Sequence, residues 1–494
     1  MSPSSSTQAT TAAPTFADLG VRPLINCMGT YTIISGSRAL PQVTEAMVEA
    51  TNHYVDMDEL MDKVGRRLAE LTGAEWGYIA SGCAAALTQI TAACIAGADP
   101  EKMARLPDTT GMKNEVIIQR GHRNAYDWAI RMTGAQMIEV VTRADLEAAI
   151  SERTAMIAIT GDLEERSTIP IPEMIQVARE HGIPCLVDAA AQRPDVPNRY
   201  LEMGADAVTY SGGKCLRGPQ ASGLALGRKD LLQAAFLNGA PHHALGRPMK
   251  AGKEEIMGLL AAVEAWIRGR DHEAEWRMWE GYLETIRAAI ADIPTITTEI
   301  EQPGVANVSP RLFISWDAGA LQRTPEEVHR ALRQGEPPIA LHLVSEHPSG
   351  KAGLRVMPYM MESGDDAIVG QRLRALLTEE NPSWTSPRVS PEPATDISGT
   401  WQIETQYVLG SSVHSMTLVQ NGAKLKGTYR SQFDWQDVEG SLHGTEVTFH
   451  VVLGYQANKV RYVYSGSVQG DTMRGQVSLG EFGSATWTAR KVDW

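Results

Sequence analysis

The chain is poor in cysteine, in aromatic residues and in positive charge, and each shortage excludes something. Its five cysteines are Cys27, Cys83, Cys94, Cys185 and Cys215. They are odd in number and form no CxxC pair, which rules out a disulfide framework or a zinc site as the organising principle and implies reduced thiols. Lys and Arg total 45 against 59 Asp and Glu, a net charge of −14. With no basic run to offset that, a nucleic-acid partner held by phosphate neutralisation is not expected. No apolar stretch approaches a membrane span, and the first fifteen residues carry no apolar signal core. They are rich in Ser, Thr, Ala and Gln and read as a disordered tail. A cytoplasmic protein with a small-molecule substrate and neither membrane nor metal partner is the expectation.

From about residue 70 to 230, apolar runs alternate with amphipathic stretches. Glu115–Gln119, Met137–Val141, Ala155–Ile159, Pro184–Asp188 and Ala205–Tyr210 read as strands, and Ala144–Ser151 and Pro172–His181 as helices. This alternation predicts an α/β fold, a mostly parallel sheet flanked by helices, with ligands gathering at the carboxyl ends of the strands. Residues 252–292 have helical spacing and lead into a smaller α/β domain at 291–380, with strands at Arg311–Ser315 and Gly353–Met357 and a helix at Thr324–Gln334. Residues 381–396 are proline-rich and read as a linker. Residues 397–494 carry seven or eight short alternating runs between turn residues, which predicts an all-β barrel or sandwich.

The chemistry concentrates at strand ends. Asp188 closes one apolar run, and 26 residues later Lys214 sits in a small-residue turn, Ser-Gly-Gly-Lys-Cys-Leu-Arg-Gly-Pro, directly after another. Pyridoxal 5'-phosphate needs such a pair, a lysine for the Schiff base and a carboxylate beside the pyridine nitrogen. Alone, Lys214 reads as a solvated loop lysine. Ser81, Gly82 and Cys83 open a helix after the strand-like Trp76–Ala80, where free N–H groups favour an anion such as the cofactor's phosphate. Ser211 adds a hydroxyl. His122, in Gln119–Tyr126 after another strand, is the candidate to cover one face of the ring, and Ala190 is small enough for the other face to pack closely. The tract Asp162–Thr168 borders the substrate or forms a solvated loop. Arg355, inside an apolar run, needs an anion, either a substrate carboxylate or an internal salt bridge.

The segments Leu24–Thr30, Ala80–Leu87, Val187–Ala190, Ser211–Gln220 and Gly246–Lys253 resemble the selenocysteine-synthase-like group of fold-type-I pyridoxal phosphate enzymes. The branch they most resemble is that of the D-glucosaminate-6-phosphate ammonia-lyases. The resemblance covers roughly residues 18–380. It implies a seven-stranded large domain at 16–290, Lys214 as the Schiff-base lysine, Asp188 as the pyridinium partner, and Ser81, Gly82 and Cys83 as the phosphate cup. It also implies a homodimer or higher homo-oligomer in which Arg247 and Lys253 reach a neighbour's cofactor. Asn26, Thr30, Arg166 and Arg355 are the candidate substrate contacts. The β-domain departs from the pattern.

The expected reaction is α,β-elimination, releasing ammonia and a keto acid from a β-hydroxy amino acid or amino sugar acid. Racemisation or another carbanion reaction is the alternative, with His122 or Tyr126 as the opposing acid. A scaffold whose β-domain binds a partner is the non-enzymatic reading, and selenium transfer to a charged tRNA is disfavoured by the acidic surface. A phosphorylated substrate would need a basic distal pocket, for which Arg38, Arg123, Arg166 and Lys253 are candidates.

Overall fold

The structure is a computed structural model and describes residues 13–380, 382–385 and 392–492. Most of the expected N-terminal tail and much of the expected linker therefore lie outside the described residues. The chain divides into two compact units, 1–385 and 386–494. Among the described residues no helix is long and apolar enough to cross a membrane.

A seven-stranded sheet organises the first unit. Its strands are β1 (Trp76–Ala80), β2 (Glu115–Gln119), β3 (Gln136–Val140), β4 (Thr154–Thr160), β5 (Cys185–Asp188), β6 (Ala207–Ser211) and β7 (Gly223–Gly227). Their order is β1-β7-β6-β5-β4-β2-β3. Strands β2 and β4 are buried at every residue, as their unbroken apolar runs require of parallel strands covered on both faces. Only β7 runs antiparallel to its neighbours. It escapes notice in the sequence because Gly-Leu-Ala-Leu-Gly is short and carries no β-branched residue. Helix α1 (Cys83–Ala96) has twelve buried residues and no polar face, so it packs as a central helix over the sheet.

The long amphipathic stretch forms two helices, α2 (Lys253–Glu264) and α3 (His272–Ile290), separated by a π-turn at Ala265–Gly269. Helix α3 packs with α4 (Asp365–Thr378) against a four-stranded antiparallel sheet. That sheet comprises β8 (Thr297–Glu301), β9 (Arg311–Ser315), β10 (His342–Val344) and β11 (Gly353–Val356), in the order β10-β11-β9-β8. Leu283, Ile286, Leu312, Ile314, Leu354 and Leu373 form its core. The N-terminal segment joins this region, since Ile25–Asn26 pairs in parallel with Ile339–Ala340.

The second unit is a closed barrel of eight antiparallel strands, β12 (Gly399–Gln406), β13 (Ser411–Asn421), β14 (Lys424–Arg430), β15 (Trp435–His443), β16 (Glu446–Tyr455), β17 (Asn458–Gln469), β18 (Thr472–Ser478) and β19 (Ser484–Val492). Each strand pairs with the next, and β19 returns to β12. Inward residues such as Trp401, Ile403, Phe449, Tyr464 and Trp487 alternate with outward polar ones, the period of two expected of a strand with one wet face.

Candidate active site

Strands β5 and β6 lie side by side and end in Asp188 and Ser211. The thiol of Cys83, the first residue of α1, lies 3.4 Å from Asp188 Oδ1 and 3.3 Å from Thr209 Oγ1. The Ala190 N–H donates to Asp188 Oδ1 at 3.1 Å, and the Ser211 N–H to the Ala190 carbonyl at 3.2 Å. Burial pushes the Asp188 carboxyl above its ordinary range, opposed by Lys214, the Cys83 thiol and the Ala190 amide. Burial, and then Asp188, push the Cys83 thiol well up, so it is a proton-bearing donor rather than a nucleophile. The side-chain amine of Lys214, which is half-buried in its turn, makes no hydrogen bond or ion pair among the described residues.

The turn is braced from below. A Cβ on Gly212 would overlap Ser222, and one on Gly213 would overlap Gln220. Gln220 Nε2 donates to both the carbonyl and the hydroxyl of Ser37 at 2.9 Å, and Arg217 Nε donates to the Arg38 carbonyl at 3.0 Å. The Gly-Pro-Gln after the lysine thus clamps its turn to the segment before residue 40.

At the neighbouring strand end, α1 begins without a side-chain cap, leaving its first N–H groups free for an anion. No atom lies within 4 Å of where a Gly82 Cβ would stand. On the opposite side, a Cβ at Gly223 would run into the Gly82 and Cys83 backbone, so β7 must open on glycine for the helix terminus to sit where it does. An unengaged amine, a buried carboxylate opposite it and an open helix N-terminus form a donor set that fits pyridoxal phosphate.

Asp162, two residues beyond β4, belongs to the same group and was not singled out in the sequence, although its tract was. The Ala191 N–H donates to its Oδ2 at 2.9 Å, so the consecutive amides of Ala190 and Ala191 hold the two carboxyls. Burial and then Asp188 push its pKa up to about 7, against Lys214. In the unfolded chain this carboxyl returns to the ordinary aspartate range. Its ionisation therefore costs stability increasingly as pH rises toward 7. Asp162→Asn is expected to leave the melting temperature of the cofactor-free chain unchanged near pH 4 and to raise it at pH 8. A difference independent of pH would show that Asp162 does not hold a proton.

Other expected site residues are engaged elsewhere. His122 is fully buried, and both its ring nitrogens are engaged. The Thr160 N–H donates to its Nδ1 at 3.2 Å, leaving Nε2–H to donate to Ser167 Oγ at 2.9 Å, and burial lowers its pKa to about 4. It is a neutral strut between loops. Tyr126, with Asn124 and Thr160, lines the small cavity that reaches Asp188. Arg355 has a partner inside the fold: its Nε and Nη2 bind the Glu301 carboxylate on β8 at 2.6 and 2.8 Å, and His347 Nε2 lies 2.9 Å from the same group. The internal salt bridge is the alternative that holds. Burial acts upward on Glu301, but Arg355 and His347 bring its pKa below the ordinary range. Glu301→Gln is expected to destabilise the first unit by about 3 kcal/mol, read by urea unfolding, because it leaves Arg355 without a counter-charge. Unchanged stability would remove this structural role.

Asn26 spends its side chain on the Met28 and Gly29 amides and the Gly29 carbonyl, and Thr30 Oγ1 bonds Tyr359 Oη at 2.7 Å. Both shape the N-terminal segment. Arg166 is exposed, with its carbonyl where a Gly121 Cβ would stand. Arg247 is exposed and Lys253 pairs with Glu254, neither sharing a contact with Asp188 or Lys214 among the described residues. Of the other basic candidates, Arg123 is buried against Asp127 and Glu139, and Arg38 pairs with Glu362 at the surface.

Fold and site together define a pyridoxal-phosphate-dependent enzyme of fold type I. Residues 50–261 match the class-V aminotransferase family. The chain is 32% identical over 372 residues to D-glucosaminate-6-phosphate ammonia lyase of Salmonella typhimurium, covering 73% of this chain and 97% of the relative. It is 31% identical over 377 residues to a 5'-C-glycyluridine monooxygenase-decarboxylase of a Streptomyces species, covering 74% and 92%. A solved D-glucosaminate-6-phosphate ammonia-lyase superposes with a TM-score of 0.65 at 30% identity, over 74% of this chain and 99% of that one. The chain belongs to the class-V aminotransferase family, and about a quarter of its length has no counterpart in that solved structure.

Proposed function

We propose that this enzyme is an ammonia-lyase that eliminates a β-hydroxyl from an amino acid or amino sugar acid and releases ammonia and a keto acid. The observation that carries the reading is the unengaged Lys214 amine facing the buried Asp188 carboxylate at adjoining strand ends, in a chain similar to an ammonia-lyase along nearly that relative's whole length.

Bound pyridoxal phosphate draws electrons from the amine-bearing carbon and so makes its proton acidic. Lys214 would hold the cofactor covalently and, once the substrate amine has displaced it, take the α-proton at Nζ. Asp188 would keep a negative charge beside the ring nitrogen, with the Ala190 amide and Cys83 thiol fixing its orientation. The N–H groups of Gly82 and Cys83, with the hydroxyls of Ser81 and Ser211, would hold the phosphate. Exposed Arg247 would contact a second copy in a homodimer.

The test is ammonia and keto-acid release from a panel of β-hydroxy amino acids and amino sugar acids, with the full-length holoenzyme. Likeness to the monooxygenase-decarboxylase supports a second reading, and its signature would be oxygen consumption with CO2 in place of ammonia.

A further inference from the structure

The turn that carries Lys214 has a second face. Cys215 and Arg217 line a cavity of about 40 Å³ with Arg193, Arg270, Trp266 and Tyr359. About 10–15 Å³ on this measure holds one water, so the space takes one compact anionic group rather than a sugar ring.

The three arginines are unequally committed. Arg270 is spent, its Nε and Nη2 on Glu275 at 2.8 and 2.9 Å and its Nη1 on the Cys215 carbonyl at 2.6 Å. Arg193 uses Nε on Asp195, at 3.2 and 3.1 Å to the two carboxylate oxygens, and lies over the Trp266 ring. Among the described residues the Arg217 guanidinium has no carboxylate partner, and of its nitrogens only Nε is bonded, to a backbone carbonyl. The acids around it are committed: Glu275 to Arg270 and His272, Asp195 to Arg193, and Glu362 to Arg38. Arg217 also holds φ at 56°, a left-handed conformation that non-glycine residues adopt at a cost. Burial and the nearby Arg270 push its pKa down, as for a cation short of counter-charge.

We propose that this cavity is a substrate subsite for an anionic group, phosphate or carboxylate, with Arg217 as the binding residue and Arg193 as the second donor. A guanidinium with free paired N–H groups suits the oxygen pairs of either anion. The subsite rests on the reading of Lys214 as the reactive lysine, because three residues separate it from Arg217 on one braced turn. Of the basic candidates from the sequence, Arg38, Arg123 and Lys253 are already paired, and Arg166 is exposed rather than lining this cavity.

The test titrates inorganic phosphate into the holoenzyme by calorimetry, whose own cofactor phosphate fills the cup at Gly82. Saturable binding is expected in the wild type, weaker by about 10- to 100-fold in Arg217→Gln and partly kept in Arg217→Lys, with the cofactor's absorption band unchanged. Unchanged affinity in Arg217→Gln with that band intact would overturn the subsite. Turnover of serine against O-phosphoserine identifies the source of the anion: loss of kcat/KM for both assigns the substrate's own carboxylate, and loss for the phosphorylated one alone assigns a distal group. Calorimetry needs no turnover, so failure of the lyase reading and failure of the subsite are read separately.

Discussion

Lys214→Ala is expected to lower kcat by about 10,000-fold, the upper range for a lost general base. The same variant loses the covalent link to the cofactor. Borohydride reduction followed by peptide mass analysis should find the cofactor's mass on the Lys214 peptide of the wild type and on no peptide of the variant. The fold should survive, because the side chain makes no hydrogen bond or ion pair among the described residues and contributes little to packing. Near-normal turnover, or cofactor trapped on another lysine, would place the reactive amine elsewhere.

Asp188→Asn is the second large effect. It keeps the shape and the acceptor for the Ala190 amide but removes the charge, and it should lower kcat by about 1,000-fold, the cost of one preorganised electrostatic group. Stability should move the other way. Burial raises the Asp188 pKa, so the ionised carboxyl costs folding free energy that grows as pH rises toward its folded pKa and stays at its full value above it. Cofactor-free Asp188→Asn should therefore melt no lower than the wild type at pH 8. Activity and melting temperature falling together would make Asp188 a structural residue.

Some of this was legible in the sequence for physical reasons. Strands such as Glu115–Gln119 and Arg311–Ser315 lie inside the fold, and burial on both faces writes an apolar run that needs no context. Asp188 and Lys214 were readable because the first closes its strand and the second comes three residues after the end of the next. Polar partnerships across the fold were not. His122 finds Thr160 and Ser167, and Arg355 finds Glu301, dozens of residues away along the chain. A lone histidine or arginine does not announce which partner claims it. The cavity beside Lys214 was hidden for the same reason, since Arg193, Arg217 and Arg270 meet only once α3 is docked.

The barrel's closure sets an order of events. Its last seam joins Thr400 to Val492, so no local pairing can complete it and the eighth strand must be synthesised first. Until Ser484–Val492 arrives, Gly399–Gln406 and Thr472–Ser478 both present open edges to any strand in reach. Both of those edges are paired by the same nine residues, so the barrel's protection from a wrong neighbour rests on its last strand.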